Sequence, residues 1–152
     1  MSIIKELKKK GASSISAKRS VAFDYLFGGA TDEVEVGKVY LFEYDPKFKA
    51  FLRHWDKYPL TLVLDTYDDG FLGANLHYIS PKARMIFAQN YLNKNGKVPV
   101  KLIHRYIFKR ADNIFFKVPL KEFVEFAALP IEEFRDSKNR FVSAKIIQSS
   151  ST

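Results

Sequence analysis

The turn cluster Asp68-Asp69-Gly70 constrains this chain most, because it is flanked on both sides by β-rich runs, Pro59-Leu-Thr-Leu-Val-Leu-Asp65 and Phe71-Leu-Gly-Ala-Asn-Leu-His-Tyr78. Asp and Gly supply the backbone freedom of a tight turn, so these runs predict a β-hairpin at the centre of the fold. A third β-rich run, Gly37-Lys-Val-Tyr-Leu-Phe-Glu-Tyr44, is closed by Asp45-Pro46 and predicts another strand before it. Tyr40, Tyr44, Leu62, Leu64 and Leu76 of these strands are expected in the core, with Phe87 from a following helix.

Helical signals surround the strands. Gly11-Ala12-Ser13-Ser14 separates a short first helix from a second segment, which Ser14 or Ser16 would cap and which Val21, Ala22, Tyr25 and Leu26 continue at helical spacing to Gly28-Gly29. We read residues 1–30 as a basic arm, a mobile tail leading into one packed helix. Ser80-Pro81 opens a helix that carries Ala83, Ile86, Phe87 and Tyr91 to about Asn93, before Gly96. After Pro99, the spacing of Leu102, Ile103, Tyr106, Ile107 and Phe108 predicts a helix, and Ile114–Val118 and Phe123–Phe126 predict late strands. From Ile131 we expect a short helix, then a second across Arg140 to Ile147, and a disordered tail at 149–152. Short strands and frequent turns favour a small, strongly bent β-barrel of about five strands with inserted and flanking helices. The expected class is α+β, with a barrel-like domain over residues 31–148.

Composition narrows the chemistry. The chain holds 152 residues, 47% hydrophobic and without cysteine, which is enough for one core and excludes disulfides, thiolate zinc sites and cysteine nucleophiles. No apolar run reaches the roughly 20 residues that span a bilayer, and the start MSIIKELKKK lacks the apolar stretch of a secretory signal, so a soluble, unexported protein is expected. Net charge is +8, and Lys5, Lys8, Lys9, Lys10, Lys18 and Arg19 against Glu6 place five of those charges in the first twenty residues. Such an excess suits a polyanion or an acidic partner.

Candidate catalytic features read as structural. His54, His77 and His104 show no metal-ligand spacing and are expected as packed or hydrogen-bonded residues. Asp65, Asp68 and Asp69 are better explained by the turn than as an acid–base pair. No phosphate-cradling glycine loop and no serine-hydrolase elbow occurs. No cofactor and no metal is therefore expected. The recurring theme is basic residues interleaved with aromatics, at Lys47-Phe48-Lys49, Arg53-His54-Trp55, His104-Arg105-Tyr106, Phe108-Lys109-Arg110 and from Lys138 to Lys145, which could pair phosphates while rings stack on bases.

The segments Gly37–Lys47, Trp55-Asp-Lys-Tyr-Pro-Leu60 and Gly70-Phe-Leu-Gly-Ala-Asn-Leu-His-Tyr-Ile-Ser-Pro-Lys-Ala-Arg84 resemble the DNA end protector family of large T-even-type tailed phages. The likeness returns at Leu129–Arg135 and Val142–Ile146. Trp55, Tyr58 and Ser80 depart from the family pattern of Tyr, Phe and Pro. The opening strand also resembles the SH3-like barrel of MazF and PemK toxins, without their catalytic set. The resemblance implies a phage virion protein that binds the ends of double-stranded DNA without catalysis, present in the virion and, during assembly, in the host cytoplasm. DNA or other virion proteins would be its partners, with oligomeric assembly possible and no membrane. The expected phosphate-binding residues are Lys8, Lys9, Lys10, Lys18 and Arg19 of the arm and a second patch of Arg53, Arg105, Lys109 and Arg110. Two alternatives stand beside this reading, a structural connector of the phage neck, tail or baseplate and a small-barrel nuclease. Gly73 and Asn75 are singled out by the family pattern. For Gly73 we expect a strand bulge or close backbone approach, and for Asn75 a buried side chain satisfying backbone groups.

Overall fold

The predicted hairpin forms around a two-residue turn: β4 (Leu60–Tyr67) and β5 (Gly70–Asn75) pair antiparallel with Tyr67 opposite Gly70, so Asp68 and Asp69 make the loop. The computed structural model describes residues 2–94 and 97–149. Two further short strands, β1 (Ala30–Thr31) and β2 (Val39–Leu41), precede β3 (His54–Asp56). After the hairpin come β6 (Ile103–Ile107), β7 (Phe115–Val118), β8 (Phe134–Asp136) and β9 (Phe141–Val142). The helices are α1 (Ile3–Lys10), α2 (Ile15–Tyr25), α3 (Pro81–Leu92), α4 (Phe123–Ala127) and α5 (Ala144–Ser149). The class is α+β, as expected.

The strands make two open sheets instead of a closed barrel: a six-stranded sheet ordered β1-β7-β2-β4-β5-β6 and a three-stranded sheet ordered β3-β8-β9. Closure fails because, among the described residues, β6 ends the large sheet with no strand on its outer side, while β1 supplies only two residues at the other edge. The residues 123–126, expected to add a strand, form α4 instead. Phe123, Phe126 and Ala127 recur at helical spacing and are all buried.

Other expectations reverse for similar reasons. Residues 103–107 form a strand where a helix was expected, since the spacing of Ile103, Tyr106 and Ile107 fits both, and the β-branched and aromatic side chains pair with β5 over Gly70–Ala74. The short helix expected from Ile131 is replaced by β8, paired with β3 on one side and β9 on the other. The final helix begins at Ala144, after β9. Ser149 closes that helix, and residues 150–152 of the expected tail, like Gly96, lie outside the described residues.

Alternation along the central strands buries both faces of the large sheet. Val39, Leu41, Leu60, Leu62 and Ala74 face a core shared with the helices, whereas Tyr40, Phe42, Val63, Phe71 and Phe115 build a smaller aromatic core on the opposite face. The expected core residues follow this division, with Leu64 partly buried. The N-terminal segment belongs to the same body. Ser2 caps α1, Gly11 ends it with φ 65° in the left-handed region, and Ile3 and Leu7, one helical turn apart, are buried in the shared core. The short first helix forms as expected, but it is docked on the core instead of mobile, with its lysines on the exposed face. Ser14 caps α2 and Ser80 caps α3 through their hydroxyls.

Candidate nucleic-acid interface

Tyr44 ends the extended run after β2, and Asp45-Pro46 turns the chain into a loop, Asp45–Arg53, that leads into β3. Arg110 pins its start: Nε donates to the Asp45 carbonyl at 2.6 Å and Nη2 to Asp45 Oδ2 at 2.8 Å. Lys49 Nζ reaches Asp45 Oδ1 at 3.0 Å, and the Phe51 amide closes a 3-10 turn on the Phe48 carbonyl at 2.9 Å. Between these anchors Phe48 and Phe51 stand 60% and 87% exposed. Lys47, Lys49 and Arg53 flank them, and Lys47 Nζ lies 5.2 Å from the Phe48 ring centre.

Behind the loop lies a cavity of about 340 Å³ walled by Tyr44, Trp55, Tyr78, His104 and Tyr106, with Lys47 and Phe48 at its mouth. Tyr78 and His104 stack at 4.3 Å, and Tyr44 meets Tyr106 edge-on at 4.9 Å. Burial, with the Arg53 charge second, holds His54 below its ordinary value, and burial does the same for His104 against the opposing bond to the Lys101 backbone. Burial pushes the Tyr44 and Tyr78 hydroxyls up. The histidine and tyrosine side chains of the walls are consequently neutral at neutral pH, and positive charge borders them on Lys47, Arg53 and Arg105. Neutral rings bordered by cations suit bases joined by phosphates.

Asp56 also borders the cavity but offers it no free base. It is 3% exposed, and its carboxylate accepts from His77 Nδ1 at 2.7 Å, Asn75 Nδ2 at 3.0 Å, and the Tyr58 and Glu133 amides at 3.0 and 3.2 Å. Burial alone would raise this carboxyl, but His77 and the hydrogen bonds overcome it and hold it below the usual range. His77 is lowered by burial despite Asp56, with the charges of Arg84 and Arg19 acting in the same direction. A neutral His77 donating from Nδ1 to a carboxylate satisfies both. Among the described residues, no group of three or more His, Asp or Glu side chains could hold a metal ion.

The structure gathers the second expected patch around this loop. Arg105 lies on β6 beside the cavity, held by Asp69 at 2.6 Å and stacked 4.4 Å from the Tyr67 ring centre. Arg110 and Lys109 line a neighbouring cleft that shares Tyr44 and Trp55 with the cavity. These ion pairs are exposed, so phosphate can compete for the cations at small cost. The arm is different. Lys8, Lys9 and Lys10 form the last turn of α1, whose main packing partners are α2 and α4, and Lys18 is partly exposed on α2. Arg19, expected to meet phosphate, is turned inward. Its Nε donates to the Ile131 carbonyl at 2.8 Å, its guanidinium pairs with Glu133, and it covers the Tyr58 ring at 4.1 Å.

The residues that carried the resemblance are largely internal. Asn75 Oδ1 accepts the Leu60 and His77 amides, as its expected role requires. Gly73 lies at the β4 irregularity between Val63 and Asp65, where a Cβ would meet Thr61 Cγ2 at 2.1 Å. Arg84 is fully buried, binding the Leu76, Ile79 and Leu129 carbonyls and Glu132. Gln148 of α5 donates to the same Glu132 carboxylate and to the His77 carbonyl, joining the last helix to the lattice.

Residues 27–100 match the family model described as Phage T4 terminal DNA protecting protein. The chain is similar to these terminal DNA protecting proteins over the hairpin, the Asp45–Arg53 loop and the buried lattice from Asp56 to Arg84. α1, α2 and everything beyond Val100 lie outside the match. No curated protein and no solved structure matches the chain.

Sequence reasoning located the basic residues of this patch and missed Phe51 and Leu52 as exposed groups. Phe48, Phe51 and Leu52 recur as one helical face would, a spacing that ordinarily marks burial, whereas here the segment is a surface turn.

Proposed function

We propose that this protein binds the ends of double-stranded DNA and shields them without catalysis, as a phage virion-associated protein. The observation that carries the reading is the match of residues 27–100 to a family described by terminal DNA protection, a stretch that includes the exposed basic loop. Lys47, Arg53, Arg105, Lys109 and Arg110 contact phosphates irrespective of sequence, and Lys8, Lys9, Lys10 and Lys18 extend the positive surface along the first two helices. Hydrolysis has no support in the site, because the buried Asp56 carboxylate beside the cavity is committed to internal donors. The protein acts in the virion and reaches it from the host cytoplasm during assembly.

The test is a salt titration of binding to a blunt linear duplex and to a covalently closed circle of equal sequence. Binding that weakens steeply with salt and favours the linear form supports the reading, and equal affinity for both forms opposes it.

A connector role in the neck, tail or baseplate is favoured by a different observation. An apolar groove of about 790 Å³ between α2 and α5 is bordered by Ile15 and by Phe141, which is 73% exposed. A protein partner in the particle would cover it, and salt-insensitive, stoichiometric capture by a purified neck or baseplate ring is the corresponding assay.

A further inference from the structure

Besides its free 5′ and 3′ groups, a duplex end offers a flat apolar surface that continuous duplex lacks, the outer face of its terminal base pair. The internucleotide phosphates and grooves beside an end match those of the interior, so cations that pair with them give affinity without end preference. Preference requires a flat apolar group, already exposed, with cations placed around it.

The Asp45–Arg53 loop has this arrangement. Phe48 and Phe51 are exposed on a segment held at its start by Arg110 and Lys49 through Asp45, and from Pro46 to Arg53 it carries three cations and no carboxylate. Asp45, the nearest acid in sequence, is neutralised by those two partners. The exposed Phe141 lacks this setting. It is covered on one face by Arg135 at 4.3 Å, and Glu133 of the groove it borders already engages the arginines Arg19 and Arg135.

We infer that Phe48 and Phe51 stack on the terminal base pair of a DNA duplex while Lys47, Arg53 and Arg105 hold the adjoining phosphates. The inference deepens the end-binding reading and rests on it. The rings supply discrimination between end and interior, and the cations supply the affinity common to both.

The experiment compares an open blunt duplex with the same duplex closed at both ends by hairpin loops, using the full chain and its F48A/F51A variant. Both rings are exposed, so the variant keeps the fold, which a thermal melt checks. The wild type binds the open duplex about tenfold or more tightly than the closed one. The variant binds both forms with the wild type's affinity for the closed one and with an unchanged salt slope. A 2-aminopurine at the terminal position changes its emission with the wild type and not with the variant, while an interior 2-aminopurine changes with neither. A variant that keeps the open-duplex preference overturns the inference, as does an unresponsive terminal probe on the bound wild type. Failure of the wild type to bind either duplex overturns the end-binding reading itself.

Discussion

Asp56 Oδ2 and His77 Nδ1 lie 2.7 Å apart with both side chains essentially excluded from solvent. The pair joins β3 to the turn that follows the hairpin, and Asp56 also ties in the Glu133 amide next to β8. Replacing Asp56 by Asn leaves the two donors Asn75 Nδ2 and His77 Nδ1 facing an amide that can itself donate. D56N is expected to lose about 1–3 kcal/mol of stability, the cost of leaving buried donors without their acceptor. Urea denaturation followed by tryptophan fluorescence measures it, because Trp55 is the neighbouring residue and its indole N–H is bonded to the Asp136 carbonyl.

Acid sensitivity follows from the histidines. His54, His77 and His104 are all held below the ordinary 6.5 in the folded chain, chiefly by burial. The unfolded chain therefore binds more protons below that value, and stability falls as pH drops through about 6.5. Asp56 acts further down: its folded carboxyl is held below the ordinary 3.8, so its contribution is present above that value and disappears as pH falls through the lower folded one. Melting temperatures measured from about pH 8 to pH 5 should decline on the acid side, and a histidine-free variant that still folds should flatten that decline.

The hairpin glycines differ in what confronts them. A Cβ on Gly70 would sit 1.9 Å from the Tyr106 carbonyl oxygen, so β5 and β6 must separate, whereas at Gly73 the obstacle is the Thr61 methyl. G70A should destabilise by more than the roughly 1–3 kcal/mol usual for overpacking, and G73A by an amount within it. Pairing G73A with T61S, which removes that methyl, should restore most of the stability in a thermal melt.

The hairpin, its turn and the α3 start were legible because local chemistry decides them, whereas Asn75 was singled out by the family pattern. Asp68-Asp69-Gly70 and Ser80-Pro81 act through neighbouring backbone alone. Strand β6 and helix α4 were not, since five-residue apolar runs fit either period and are decided by partners far along the chain, β5 for Ile103–Ile107 and α3 for Phe123–Ala127. Arg19 shows the same limit for the site. Nothing near it in sequence reveals that carbonyls at Ile131 and Glu132 wait for its guanidinium.

Charge removal should act on DNA binding gradually. Deleting one cation that pairs with a phosphate lowers the slope of log affinity against log salt by about 0.9 on duplex DNA. R53A and R105A should each reduce the slope by roughly that amount without changing the ratio of open to closed duplex affinity. R19A should instead reduce stability, because it leaves the Ile131 and Glu132 carbonyls without their donor. Isothermal titration at several salt concentrations, paired with a thermal melt, separates the two effects.

The most direct test of non-catalytic end protection is digestion of a linear blunt duplex by an end-dependent exonuclease, with the protein added beforehand and a circular duplex as control. The account predicts that the linear DNA survives at full length in proportion to the protein bound, and that the protein with magnesium alone leaves both DNAs intact. Unimpeded digestion at saturating protein, or cleavage by the protein itself, would contradict it.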